Sequence, residues 1–182
     1  KARVCSLPTA LLGKECRRFV SSPNYMLNCG LGVLMIPAAG VLLLLKGGEW
    51  LGLLKAVLPG ADSVLAALAI SVACLLASMN DMAAPSVSLE GKSLWVLQSL
   101  PVSAWEVLKA KLKMQLVFTG IPMLVFLACA LPVLGLSPVL SLLAAAGSLL
   151  SVLLLALFGL TMGLKMPNLH WTSEITPVKQ GG

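Results

Sequence analysis

The sequence predicts an all-α membrane protein with four transmembrane helices, an N-terminal interfacial helix and a cytoplasmic helix between spans two and three. Three observations carry the prediction. Residues 25–45, 63–79, 114–136 and 139–164 form apolar runs without Asp, Glu, Lys, Arg or His. A spanning helix needs about 20 mostly apolar residues to cross a hydrocarbon core of roughly 30 Å; only 63–79 falls short and must borrow from its flanks. The chain is 58% hydrophobic and 11% charged, with mean hydropathy +0.97. Soluble domains carry about 25% charged residues, so little aqueous structure is left here and no separate soluble catalytic domain fits. Finally, the basic residues are one-sided. Lys1, Arg3, Lys14, Arg17 and Arg18 precede the first run, Lys92, Lys109, Lys111 and Lys113 separate the second from the third, and Lys165 and Lys179 follow the fourth. The opposite side holds Lys46 and Lys55 only, offset by Glu49 and Asp62. The positive-inside rule then puts both termini and the 80–113 loop in the cytoplasm. The net charge of +6 reflects this topology and attraction to anionic membrane lipids. The basic residues form no aromatic-interleaved patch, so nucleic acid is not an expected partner.

The elements follow in order. Residues 9–22 read as a basic amphipathic helix, with Leu12, Cys16, Phe19 and Val20 on one side and Lys14, Arg17 and Arg18 elsewhere. Such a helix can lie in the headgroup plane or simply extend the first span into the cytoplasm. Ser21-Ser22-Pro23-Asn24 breaks it, and Tyr25 opens the first span as an interface aromatic. Pro37 predicts a kink within that span. The segment from Trp50 to Leu54 is too short to cross and is expected to rest on the outer leaflet, with Trp50 among headgroups. Pro59-Gly60 turns the chain into the second span, with Asp62 as its cap. Pro122 predicts a kink in the third span. Leu131-Pro132 to Ser137-Pro138 forms a tight uncharged outer turn, which makes spans three and four antiparallel neighbours. Gly159 and Gly163 in the fourth span form a GxxxG pattern that lets helix backbones approach closely, either within this chain or against a second subunit.

The aqueous loop 80–113 is the most structured part outside the spans. Ser103 and Glu106 match a capping box behind Pro101. The helix they open carries Trp105, Leu108 and Leu112 on one side and Lys109 and Lys113 on another. It is either a short helix beneath the membrane or the first turns of the third span. Gly91-Lys92-Ser93 resembles the end of a phosphate-binding loop, but Ser86 stands where that motif needs its first glycine. Nucleotide binding is therefore rejected, and no cofactor is expected. Cys5, Cys16, Cys29, Cys74 and Cys129 show no metal or disulfide spacing and read as packing residues. His170 is the only histidine, which excludes sites built from several. No carboxylate falls within a predicted span, although ion relays use one. The sparse hydroxyls Ser71, Ser78, Thr119, Ser141, Ser148, Ser151 and Thr161 speak against an intramembrane enzyme.

Residues 88–97, from Ser88-Leu89-Glu90-Gly91 to Val96-Leu97, then Leu100-Pro101-Val102-Ser103 and Leu108-Lys109-Ala110-Lys111, resemble the cytoplasmic loop of type-2 ABC exporter permeases. Leu11-Leu12-Gly13-Lys14-Glu15 through Phe19, with Ser21-Ser22-Pro23, is similar to the interfacial helix that precedes a span there. Met166-Pro167-Asn168-Leu169-His170-Trp171, with Glu174 and Val178-Lys179-Gln180, resembles a segment of large ABC permeases of Gram-positive bacteria. The resemblance implies one permease domain over residues 1–182 in a bacterial cytoplasmic membrane, without enzymatic activity of its own. Its loop would be a coupling helix docked on a separate ABC ATPase subunit. The implied contact set is Glu90, Gly91, Leu97, Leu100, Pro101, Trp105 and Lys111. Such permeases have six or more spans, so this chain is expected to be part of a longer one and to need a second permease half or subunit. Charge-free spans favour apolar or amphipathic cargo. The competing expectation is a non-transporting membrane module for anchoring or assembly.

Overall fold

The computed structural model describes residues 6–57, 60, 62–169 and 171. Cys5, Pro59, His170, Glu174 and the tail from 172 to 182 lie outside the described residues, as do the readings placed on them. Among those described, the regular elements are helical: α1 (Leu7–Ser21), α2 (Pro23–Cys29), α3 (Leu31–Val57), α4 (Asp62–Ser78), α5 (Ala83–Ser88), a 3₁₀ turn (Gly91–Ser93), α6 (Leu94–Ser99), α7 (Ala104–Leu134) and α8 (Pro138–Lys165).

Four helical stretches are long and apolar enough to cross a membrane: Pro23–Val57, Asp62–Ser88, Ala104–Leu134 and Pro138–Lys165. They mark a multi-pass membrane protein. The distribution of side chains agrees. Leu34, Leu45, Leu75 and Leu142 are 68–74% exposed, while Ala73, Ala144 and Ala156 are fully buried. Large apolar residues outside and small ones inside is the arrangement expected where lipid is the solvent and close backbone approach holds helices together. In water, contiguous exposed apolar surface of this extent marks an interaction face.

The structure departs from the sequence reading at residues 50–54, at Pro132 and at Tyr25. The segment from Trp50 to Leu54 is not a separate leaflet-bound piece, since α3 continues through it to Val57. No proline interrupts residues 46–57, and glycine weakens a helix by only about 1 kcal/mol. Gly47 is useful there, because a Cβ would come within 2.6 Å of Val133 Cγ1. Pro132 is likewise helical, inside α7 rather than in the outer turn. Tyr25 is 1% exposed instead of sitting among headgroups; its hydroxyl donates to the Met82 carbonyl at 2.7 Å and its ring meets Phe19 edge-on at 5.2 Å.

The described residues form two compact units. One is drawn from Gly32–Asn80 and Phe118–Leu155. Gly40 lies against Phe126 and Gly147 against Ile70, and buried Asn80 donates to Thr119 Oγ1 at 2.8 Å and to the Phe118 carbonyl at 3.2 Å. Gly135 ends α7 in the left-handed region, with φ +60°. That conformation suits glycine after a helix C-terminus, and Lys55 donates to the Leu134 carbonyl at 3.3 Å. Replacing Gly135 with Val should lower stability by about 1–2 kcal/mol, readable as a fall in melting temperature of the detergent-purified protein; an unchanged value would contradict the turn.

The other unit is drawn from Lys1–Leu31, Asp81–Val117 and Ala156–Gly182. It holds α1, α2, α5, the 3₁₀ turn, α6, the first turns of α7 and the end of α8. Gly163 lets α8 approach α5 closely, since a Cβ there would sit 2.5 Å from the Ala84 carbonyl oxygen. A Cβ on Gly159 would meet Asp81 Oδ1 at 2.5 Å. Both glycines of the GxxxG pattern thus serve contacts within this chain.

Candidate functional site

A charged cluster lies inside the second of these units. Helix α1 starts with proline in its first turn, a position where the missing N–H is not needed. It buries Leu11, Glu15 and Phe19, spaced four apart along one face. This face is offset from the one the sequence suggested: Leu12 and Cys16 are half-buried and Val20 is 65% exposed. A carboxylate therefore occupies the middle of the inward face, where an unpaired charge would be expensive.

Lys111 on α7 provides its partner. Its ammonium donates to Glu15 Oε2 at 3.1 Å and to the Ser86 carbonyl at 2.9 Å, and lies 3.1 Å from Glu90 Oε1. Those three acceptors match the three donors of an ammonium group. The Lys111, Glu15 and Glu90 side chains are 2%, 4% and 5% exposed. Lys14, partly exposed, donates to the same Glu90 Oε1 at 2.9 Å. Burial pushes the Glu90 carboxyl up, but Lys111 and Lys14 outweigh it and hold the carboxyl below its ordinary range. Arg18, one turn beyond Lys14, donates from Nη2 to the Leu89 carbonyl at 2.8 Å and to Ser93 Oγ at 3.3 Å. The Gly91-Lys92-Ser93 motif is a single 3₁₀ turn. Burial and the neighbouring Glu15 push the Cys16 thiol up, which keeps it protonated and unreactive.

The chain beyond α8 closes over the same turn. Asn168 N donates to Ser88 Oγ at 3.1 Å, and Trp171 Nε1 to the Ser88 carbonyl at 2.8 Å. Gly91 faces this segment: a Cβ there would lie 2.6 Å from the Leu169 carbonyl oxygen. Of the contact set expected from sequence, Glu90, Gly91 and Lys111 come together here, turned inward. Leu100, Pro101 and Trp105 are exposed, Trp105 at 64%. Leu97 belongs to α6, but its side chain lies outside the described set. Trp95, 69% exposed, joins the outward group, and Lys109 places its ammonium 5.5 Å from the centre of the Trp105 ring. Sequence reasoning missed Lys14, Glu15 and Arg18 as members of the cluster. The available signal was Glu15, a lone acid within an otherwise basic segment.

Helix α7 starts at Ala104 with Ser103 Oγ accepting from the Glu106 amide at 3.3 Å, as the capping box predicted. It then runs unbroken to Leu134, so the helix opened at Ser103 and the third span are one element. Beside the cluster is a hollow of about 280 Å³ lined by Val87, Leu94, Val102, Leu108 and Leu164 together with Glu90 and Lys111. Chemically, the cluster fastens three stretches of chain: α1, the turn after α5, and α7. Comparison with family models, characterised proteins and solved structures finds no match for the chain.

Proposed function

We propose that the chain is a membrane-spanning permease subunit of an ATP-driven exporter. It lies in a bacterial cytoplasmic membrane with both termini and the 80–113 loop inside the cell, and α1 rests in the headgroup plane. The 86–113 segment receives motion from a separate ABC ATPase subunit, and a second permease half completes the path for cargo. The observation that supports this reading is a run of exposed apolar side chains, Trp95, Leu100 and Trp105, the last of them in the first turn of a 31-residue helix. A helix of that length rises about 46 Å, more than a hydrocarbon core of about 30 Å, so one element can both meet a cytoplasmic partner and cross the bilayer. The buried cluster supports the same reading by fixing α1 and the loop to α7, so that a push on the loop is not lost in local bending.

Isolation of the protein from its native membrane with partners attached tests the proposal. An ATP-hydrolysing subunit should co-purify. Trp105→Ala should weaken that association roughly thirtyfold, the effect of a hot-spot aromatic worth about 2 kcal/mol, while the melting temperature stays unchanged because the ring is exposed. Co-purification of other proteins but no ATPase would turn the reading toward an anchoring or assembly module. Full ATPase retention by the Trp105→Ala and Leu100→Ala variants together would remove the docking role from these side chains.

A further inference from the structure

Helix α1 and the residue after it border an open hollow of about 660 Å³ whose lining includes Lys14, Arg17, Arg18, Ser21 and Ser22. Three basic residues and two serines line it, and among the described residues no carboxylate does. The surrounding charges do not cancel. Glu15 and Glu90 pair with Lys111 and Lys14, which leaves Arg17 and Arg18 without an ion pair among the described residues. Arg18 has only neutral partners for Nη2, and its buried Nη1 has no hydrogen-bond acceptor among the described residues. Arg17, which is exposed, therefore brings a positive charge without an ion pair among the described residues to a space large enough for a headgroup.

We propose that this hollow binds the phosphate of an anionic phospholipid headgroup. Guanidinium groups present planar pairs of donors that match phosphate oxygens, and the Ser21 hydroxyl, which donates to the Arg18 carbonyl at 3.1 Å, can turn to donate to the same oxygens. A lipid phosphodiester is favoured over free phosphate by position. Ser21 and Ser22 immediately precede the candidate span Pro23–Val57, and Leu27, in the next turn, is 64% exposed. A headgroup held at Arg17 and Ser21 can keep its acyl chains beside that apolar surface, whereas inorganic phosphate gains nothing from it. The site does not depend on ATPase docking and stands or falls by its own measurement.

The full chain, purified in a non-ionic detergent, is incubated with equimolar phosphatidylglycerol and phosphatidylcholine, and bound lipid is counted by native mass spectrometry. The wild type should retain phosphatidylglycerol in preference to phosphatidylcholine. Arg17 is exposed and belongs to no buried pair, so Arg17→Gln should fold normally and lose roughly fivefold in retention, the worth of one basic residue near an anionic surface. Arg17→Lys should recover most of the loss. Equal retention of the two lipids by the wild type, or undiminished phosphatidylglycerol on Arg17→Gln, would overturn the proposal. Displacement of the bound lipid by millimolar inorganic phosphate would assign the site to the free anion and overturn the lipid assignment.

Discussion

Replacing Lys111 with Met should destabilise the protein by about 3–5 kcal/mol, because it leaves Glu15 and Glu90 buried without their shared cation. A buried ion pair contributes little net stability over a well-packed apolar group, but removing one partner strands the other. The loss should be recovered largely by adding Glu15→Gln and Glu90→Gln. The variants should also differ in the sign of their pH dependence. In the wild type the Glu90 carboxyl is held below its ordinary range by Lys111 and Lys14 against the opposing effect of burial. The stabilisation it gives is fully present above the unfolded-state value of about 4.3 and is lost as pH falls through the lower folded-state value. In Lys111→Met burial, the largest influence on Glu90, is opposed by Lys14 alone, so the Glu90 carboxyl should rise. That variant should gain stability as pH falls from 7 toward 5, while the wild type stays flat over the same interval. Melting temperatures in detergent across that range decide the matter: parallel curves for the two proteins would show that the cluster does not carry the interaction described.

The second large effect is expected at Gly163. A Cβ at this position would lie 2.5 Å from the Ala84 carbonyl oxygen and 3.1 Å from its Cα, and backbone cannot step aside as a flexible side chain can. Gly163→Ala gains about 1 kcal/mol in helix propensity but meets an overpacking penalty of about 1–3 kcal/mol, so the net change should be a loss. Gly163→Leu should lose about 3 kcal/mol or more, because its larger side chain faces the same backbone. Gly48 is the matched comparison: it is helical and has nothing within 4 Å of a Cβ, so Gly48→Ala should be neutral or slightly stabilising. If Gly163→Leu melts with the wild type, α8 and α5 do not approach as described. Gly159→Ala should fall between these, since the atom it would meet is an Asp81 carboxylate oxygen that also accepts from the Ala83 and Ala84 amides.

The four spans were legible in the sequence because charge-free length is sufficient evidence for a membrane helix. Their ends were less legible. Residues 46–57 carry Lys46, Glu49 and Lys55, charges that ordinarily mark a loop, yet the helix continues there with Lys46 and Glu49 3.9 Å apart and Lys55 placed on a helix-terminal carbonyl. The capping box at Ser103 was visible because it is local. The cluster was not, because Glu15 and Lys111 are 96 residues apart and nothing near either one names its partner. The same limit applies to Tyr25: its aromatic ring suggested a headgroup position, and only the fold brings the Met82 carbonyl within reach of its hydroxyl.

The separation between Glu15 and Lys111 also bears on how the protein is made. A ribosome adding about 5–20 residues per second needs on the order of 5–20 s to go from one to the other. Throughout that interval Glu15 has Lys14 beside it, 3.8 Å away in the fold, but the buried partner Lys111 does not yet exist. The inward face of α1 therefore gains its buried cation only once the first turns of α7 have been made.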